Sequence, residues 1–411
     1  MLLIHAADIH LDSPLRGLSR IGEETATELR LSTRRALENL VDLVLERQAD
    51  LLVIAGDLYD GNWHDFGTGQ FFIEQMIRLN DEMVPVVIAS GNHDAASQIT
   101  RALTLPPQVH MLSTDEPQSI TFDELGAVVH GQGYAVRNVQ ANLAAAYPKR
   151  IPELINIGVL HTVATGSDDH LSYAPCSVAD LQALRYNYMA LGHIHKRGPV
   201  AEGEFPAHFS GNLQGRNPRE IGPKGVLIVD IADNSPATVD FQPVDVARWE
   251  RIDIDLTNMA DYDEMATCAR DRMREAENSA DGRKVITRVN LTGTSKIASS
   301  LTDDERLRAD MESLAAQSGV VLDRVRVHVR PPEPPDPDAQ LFRNLINDAA
   351  ASLSDDRNEM TQTMQQLERS IRDTASGADA SGLDLSDPIV LKDLVQRAHD
   401  QLDARLAERQ A

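Results

Sequence analysis

Five short apolar runs of this chain close on side chains that bind metals. LLIHAAD ends at Asp8 with His10 beyond it, LLVIAGD at Asp57, and VVIASGN at Asn92 with His93 and Asp94 following; INIGVLH ends at His161 and YMALGH at His193, with His195 two further on. A β-strand that stops at Asp, Asn or His leaves that side chain at the carboxyl edge of its sheet, where open α/β folds build their sites. One such ending arises easily by chance, but five in one chain do not. Asp8 and His10 are two apart, as are His193 and His195, which puts both members of a pair on one face of a continuing strand. Gly56 lets the backbone turn sharply before Asp57, whose two oxygens can serve one cation each. Asn92 adds a neutral oxygen, which keeps the ligand charge low enough for an anion still to be attracted. Asp, Asn and His without Cys favour borderline or harder divalent ions over copper(I) or an iron–sulfur cluster, and leave manganese, iron and zinc open.

The elements that must position these residues alternate through residues 1–245. Leu29, Ala36, Leu37, Leu40, Val41, Val44 and Leu45 recur at helical spacing before a strand at 51–55, and Phe71, Phe72, Met76, Ile77 and Leu79 do so before one at 84–89. This is βαβ patterning. From about residue 120 strands dominate, at 127–130, 157–161, 188–191, 207–210, 226–231 and 237–243, and a second sheet is expected. A smaller module over 246–331 reads strand, helix, strand, helix, strand, an α+β cap. At PPEPPDPD (331–338) the chain changes character to a stiff polyproline spacer. The tail over 332–411 carries two amphipathic helix patterns, Leu341 to Ile371 and, after Ser386-Asp387-Pro388, Leu391 to Leu406. They either pack on each other or await another protein's helix or coiled coil.

At 411 residues the chain is long enough for a buried catalytic core and further modules. Cys176 and Cys268 form no Cys-x-x-Cys pattern, so neither a disulfide framework nor a thiolate zinc site is expected, and a cytoplasmic protein is the natural reading. The start lacks a basic region and a cleavage site, and no apolar stretch approaches the length of a membrane span, so no membrane association is expected. A net charge of −24 is unusual for a nucleic-acid protein. Carboxylates that hold cations account for part of it, and the acidic C-terminal third for more; local basic groups remain at Arg16, Arg20, Arg30, Arg34, Arg35, Lys196, Arg197, Arg216, Arg219 and Lys224.

The ordered set Asp8-x-His10, Gly56-Asp57, Gly91-Asn92-His93-Asp94, His161 and Gly192-His193-x-His195 resembles the calcineurin-type metallophosphoesterase superfamily. MLLIHAADIHLDSPL and AGDLYDGN resemble, more narrowly, its DNA-repair exonuclease branch, the SbcD and YhaO-type nuclease subunits. The resemblance implies a two-sheet αββα sandwich. It also implies two divalent metal ions, by preference manganese: one on Asp8, His10, Asp57 and His195, the other on Asp57, Asn92, His161 and His193, with Asp57 bridging. Two such ions polarise a phosphodiester and generate a hydroxide for in-line attack. His93 would stabilise developing charge or protonate the leaving oxygen, with Asp94 holding it in orientation. Asp60, three residues after Asp57, stands where archaeal and eukaryotic break-repair nucleases carry histidine and bacterial members commonly carry aspartate. The loop at 209–225 resembles the YhaO-type segment, and Asn212, Gln214, Arg216 and Arg219, with Arg16 near the first pair, are candidates for substrate phosphates.

The implied activity is exonuclease and endonuclease cleavage of DNA ends in double-strand break repair. The implied partners are DNA and an SbcC-like coiled-coil ATPase, docked through the C-terminal helices. Related complexes are dimeric, though no dimer helix stands out by pattern. Two other readings compete: a phosphoprotein phosphatase or cyclic-nucleotide phosphodiesterase of the same superfamily, and a metal-stabilised scaffold. Leu58-Tyr59-Asp60-Gly61 lacks the Asp-Arg-Gly turn of calcineurin-type phosphatases, and a complete ligand set is hard to explain without catalysis.

Overall fold

A computed structural model of the chain describes residues 1–13, 23–60, 66–96, 104–164, 173–232 and 235–332. Arg16 and the expected tail helices lie outside the described residues. Among the described residues two compact units emerge, Met1–Glu250 with Ala280–Ile286, and Arg251–Ser279 with 287–332.

The first unit opens with β1 (Leu2–Ala6), α1 (Glu23–Arg30), α2 (Ser32–Glu46), β2 (Leu51–Ala55), α3 (Phe66–Asp81), β3 (Val86–Ala89) and β4 (Val109–Met111). The helical spacing expected before the second strand falls across α1 and α2. Strands β1 to β4 pair in parallel, and β2 and β3 are buried along their whole length. Unbroken apolar runs such as LLVIA suit a strand covered on both faces.

The chain then builds β5 (Gln118–Phe122), β6 (Ala127–Gly131), β7 (Ile155–His161), α4 (Val178–Ala183), β8 (Tyr188–Gly192), β9 (Gly198–Ala201) and β10 (Ala207–Phe209). These strands form the expected second sheet, in the order β5-β6-β7-β8-β10-β9. The next two, β11 (Gly225–Asp230) and β12 (Thr238–Pro243), depart from expectation. They add to the first sheet, with β11 antiparallel to β1, giving β12-β11-β1-β2-β3-β4. Burial alternation gives a strand's face but not its neighbour.

Three apolar layers hold the unit together. Leu3, Val53 and Val87 of the first sheet meet Val129, Ile157, Val159 and Ala190 of the second, filling the space between the sheets. Leu37, Leu40, Val41 and Met76 of α2 and α3 cover the outer face of the first sheet. Leu181 of α4 joins Leu160, Met189 and Leu191 outside the second. The result is the expected αββα sandwich. Parallel strands β1, β2 and β3 of one sheet and β7 and β8 of the other all end at the same edge.

A three-stranded sheet follows, of β13 (Ala247–Asp255), β14 (Lys284–Thr294) and β15 (Val321–Arg330), with α5 (Tyr262–Asn278) and α6 (Asp304–Gln317) between its strands. Asp261 caps α5 by accepting from the Glu264 N–H, and Asp303 caps α6 by accepting from Arg306.

Candidate metal centre

The carboxyl end of β7 and the loops that leave the other four strands bring Asp8, His10, Asp57, Asn92, His161, His193 and His195 into one pocket. Asp8 and His10 reach it differently from the expected same-face pleat. Strand β1 ends at Ala6, and Asp8, His10 and Asp57 take left-handed backbone conformations at φ 51°, 46° and 52°, while His193 stands at 99°. Non-glycine residues rarely adopt these angles, and they persist where the surroundings over-determine them. Here backbone bonds fix the two loops side by side. The Asp8 N–H donates to the Gly56 carbonyl at 3.0 Å, His10 to Asp57 at 3.0 Å and Leu11 to Leu58 at 2.8 Å.

The donor atoms fall into two groups joined by one carboxylate. In the first, His10 Nε2 lies 3.2 Å from His195 Nε2, which lies 3.7 Å from Asp8 Oδ1. In the second, His161 Nε2 lies 2.9 Å from Asn92 Oδ1, and His193 Nδ1 lies 3.2 Å from Asn92 Oδ1 and 3.3 Å from His161 Nε2. Asp57 Oδ2 stands between them, 3.7 Å from His10 Nε2 and 3.4 Å from His161 Nε2. Two nitrogens held about 2.1 Å from one ion at 90–110° are roughly 3.0–3.4 Å apart, so both imidazole pairs match the spacing of shared ligands.

Hydrogen bonds on the far side of two rings aim the near nitrogens into the pocket. The His161 Nδ1–H donates to the Ala55 carbonyl at 2.9 Å, and the His195 Nδ1–H to Glu220 Oε1 at 2.8 Å. Each Nε2 then faces the pocket. The electrostatics also call for positive charge. Burial disfavours a charged His161, but the Asp57 carboxylate beside it prevails and carries the ring up to about 9. Burial likewise opposes ionisation of Asp57, yet His161, His10 and His93 hold its carboxyl well below the usual range. Burial pushes Asp8 up. Donor types, spacing and charge all fit a pair of divalent cations.

His93 sits at the rim, its side chain 31% exposed. Its partner differs from the one expected. The Asp94 carboxylate turns away and accepts from the backbone N–H groups of Leu58 at 3.2 Å, Tyr59 at 3.0 Å and Gly91 at 2.9 Å. It ties the Asp57 loop to the Asn92 loop and makes no contact with the His93 ring. Asp60 is the residue that holds that ring, with Oδ1 2.7 Å from His93 Nδ1. This bond raises the His93 pKa and lowers that of Asp60.

Asn212 and Gln214 also depart from expectation, because both are buried and turned to protein rather than to substrate. Asn212 Nδ2 donates to the Gln214 carbonyl and to Glu220 Oε2; Gln214 Nε2 donates to the Gly215 and Ala247 carbonyls while its oxygen accepts from Val246. They shape the loop that follows β10. Arg216 does border the site: one guanidinium nitrogen lies 3.2 Å from Glu220 Oε1, and another lies 3.4 Å from Ser13 Oγ and 3.9 Å from Asp60 Oδ2. The Arg219 backbone N–H donates to Asn217 Oδ1, and its side chain is exposed. Sequence reasoning passed over Glu220, which no spacing singles out. It also passed over Asp12, which accepts a forked pair of bonds from Arg34 at 2.8 and 2.6 Å and one from Thr68, pinning the loop after β1 to α2 and α3.

Comparison with known proteins bears on the family. The family model described as calcineurin-like phosphoesterase matches residues 1–197, and that described as the middle domain of metallophosphoesterase YhaO matches residues 249–330. The chain is 31% identical over 298 residues to the uncharacterized metallophosphoesterase YhaO of Bacillus subtilis, covering 72% of each chain. It is 26% identical over 275 residues to the D component of the nuclease SbcCD of the same organism, covering 58% of this chain and 68% of that one. It is 27% identical over 212 residues to the DNA double-strand break repair protein Mre11 of Methanopyrus kandleri, covering 47% and 44%. Fold, site and similarity together place the chain among the calcineurin-like metallophosphoesterases, in the branch that holds YhaO and the SbcD nucleases.

Proposed function

We propose that the chain is a two-metal phosphodiesterase that cuts DNA at its ends, working with an SbcC-like coiled-coil ATPase in double-strand break repair. The observation that carries the reading is the pair of donor groups sharing Asp57 Oδ2, with a rim histidine beside them. Asp8, His10, Asp57 and His195 would hold one cation, and Asp57, Asn92, His161 and His193 the other, manganese by preference over iron or zinc. Bound there, two cations supply electrophilic stabilisation of a phosphate and an activated water.

The chain's own residues do the rest. Asp60 keeps the His93 Nδ1–H directed at its carboxylate and favours the protonated ring, so the opposite nitrogen can give a proton to the leaving oxygen. Asp94 holds the two loops on which Asp57 and Asn92 ride. Arg216, at the border, supplies a cationic side chain for a substrate phosphate. In the same proposal, residues 1–245 form the catalytic module, 246–331 a cap that shapes the substrate, and 332–411 the linker and helices that dock the ATPase. Similarity to the SbcCD nuclease component and to an Mre11 protein supports DNA over other phosphodiesters.

The test presents the purified full chain, with manganese, with an end-labelled DNA duplex, a phosphopeptide, a cyclic nucleotide and bis(p-nitrophenyl) phosphate. Cleavage of the duplex and of the chromogenic diester, lost in Asp57→Ala, is expected. A chain that binds manganese but dephosphorylates the peptide and leaves DNA whole, with or without the ATPase, overturns the proposal in favour of a phosphatase. Loss of all function on truncation at Pro331, chromogenic turnover included, would favour a scaffold.

A further inference from the structure

The loop between β10 and β11 carries a carboxylate with every oxygen committed. Glu220 Oε1 accepts from the His195 ring at 2.8 Å and lies 3.2 Å from the Arg216 guanidinium; Oε2 accepts from the Arg216 backbone N–H at 2.7 Å and from Asn212 Nδ2 at 3.0 Å. Its side chain is only 11% exposed. A carboxylate gripped by four donors has one orientation; an Arg216 guanidinium nitrogen, which can only donate, also lies 3.2 Å from His195 Nδ1, but the Glu220 oxygen is the nearer partner at 2.8 Å and keeps the proton on that ring nitrogen. The backbone of the same ring is braced as well, since Lys224 Nζ donates to the His195 carbonyl at 3.3 Å.

Position makes this bond consequential. His195 is the most exposed member of its donor group, with a side chain 29% exposed where those of Asp8 and His10 are buried. Its Nε2 faces His10 and Asp8 only while the ring is held in one plane with its proton on Nδ1. Without Glu220 the ring could turn toward solvent or carry its proton on Nε2, and either change removes a lone pair from the pocket. His161 obtains the same control from a backbone carbonyl, which no side-chain substitution can delete.

We infer that Glu220 is the positioning residue of the first cation site, fixing the tautomer and plane of His195 so that its Nε2 joins Asp8, His10 and Asp57. This rests on the reading of the pocket as a two-cation centre. Arg216 completes the device: it neutralises Glu220 at one end and reaches Ser13 and Asp60 at the other, so the carboxylates behind His195 and His93 share one cationic brace.

The test compares wild type with Glu220→Ala and Glu220→Gln in the full chain. Manganese is titrated by calorimetry, and the histidine tautomers of the metal-free protein are read by NMR after histidine-selective ¹⁵N labelling, with His195→Gln assigning the signal. Wild type should take up two equivalents and show His195 protonated on Nδ1. Glu220→Ala should keep the equivalent held by Asn92, His161 and His193, bind the other about 10–100-fold more weakly, and lose the single His195 tautomer. Glu220→Gln, which retains an acceptor oxygen and the side-chain volume, should fall between. Unchanged affinity and tautomer in Glu220→Ala would overturn the inference, and so would equal loss of both equivalents in the two variants, which would mark Glu220 as a support of the loop alone. Wild type that binds two manganese ions but cuts no phosphodiester would sink the proposed function and leave this inference standing; a wild type that takes up none would sink both.

Discussion

Replacing Gly192 by alanine probes how closely the two sheets must meet to form the centre. A Cβ at this position would lie 1.8 Å from the Ala55 carbonyl oxygen and 3.0 Å from His161 Nδ1. Carbon and oxygen approach to about 3.3 Å at closest in ordinary contacts, so the methyl group asks for roughly 1.5 Å of separation. The obstacle is backbone, at the end of β2, and cannot swing aside. It is also the carbonyl that accepts from the His161 Nδ1–H. The sheets must part or that bond must break, and overpacking of this kind costs about 1–3 kcal/mol or more. A misplacement near 1 Å at a reacting centre lowers rate about a hundredfold. Gly192→Ala should therefore show a lower urea midpoint and weaker binding of one manganese equivalent, with turnover of bis(p-nitrophenyl) phosphate down by about two orders of magnitude. A variant with the wild-type midpoint, affinity and rate would refute the argument that this glycine exists for close approach.

Three further outcomes follow from the same contacts. Asp94→Ala strands the N–H groups of Leu58, Tyr59 and Gly91 at roughly 1–3 kcal/mol each before relaxation, so its urea midpoint should fall well below that of His93→Ala; equal midpoints would return Asp94 to the rim. His93→Ala and Asp60→Asn should keep two manganese equivalents by calorimetry but lose turnover, His93→Ala by about 10²–10⁴-fold, and loss of metal in His93→Ala would make that residue a ligand. His5 donates to or accepts from the Tyr188 hydroxyl at 2.9 Å, and burial with the neighbouring His208 lowers its pKa to about 3. The unfolded chain takes up this proton near 6.5 and the folded chain does not until near 3, so the stability His5 contributes is whole above 6.5 and declines as pH falls, by up to about 1.4 kcal/mol per unit. Urea midpoints at pH 7.5 and 5 should show this slope, and His5→Asn should flatten it.

The chemistry of the site was more legible than its framework. Strand-terminal Asp, Asn and His are local signals, and every one of the seven candidates lies in the same pocket. Partners set by tertiary contact were less so. Asp94 follows His93 in sequence, yet the turn after Asn92 points its carboxylate back at the backbone, and Asp60 arrives from another loop to take the ring. Asn212 and Gln214 have the polarity of phosphate contacts, but the loop's own N–H and carbonyl groups need partners once buried. Strands β11 and β12 show the same limit: their alternation was visible, while their place beside β1 depends on a pairing between residues more than two hundred positions apart.

Gly56 illustrates what a short motif can hold. Its φ of 94° is left-handed, and a Cβ there would meet His161 Nδ1 at 2.2 Å, so the glycine before Asp57 serves both the turn and the packing of a ligand from the other sheet.

The central claim is that one carboxylate, Asp57, is shared by two cations. Anomalous diffraction from crystals of the full chain grown in manganese tests it directly. Two peaks about 3.5–4 Å apart are predicted, one among Asp8, His10 and His195 and one among Asn92, His161 and His193, with Asp57 touching both. A single peak, or density centred instead among His10, Asp60 and His93, would contradict it.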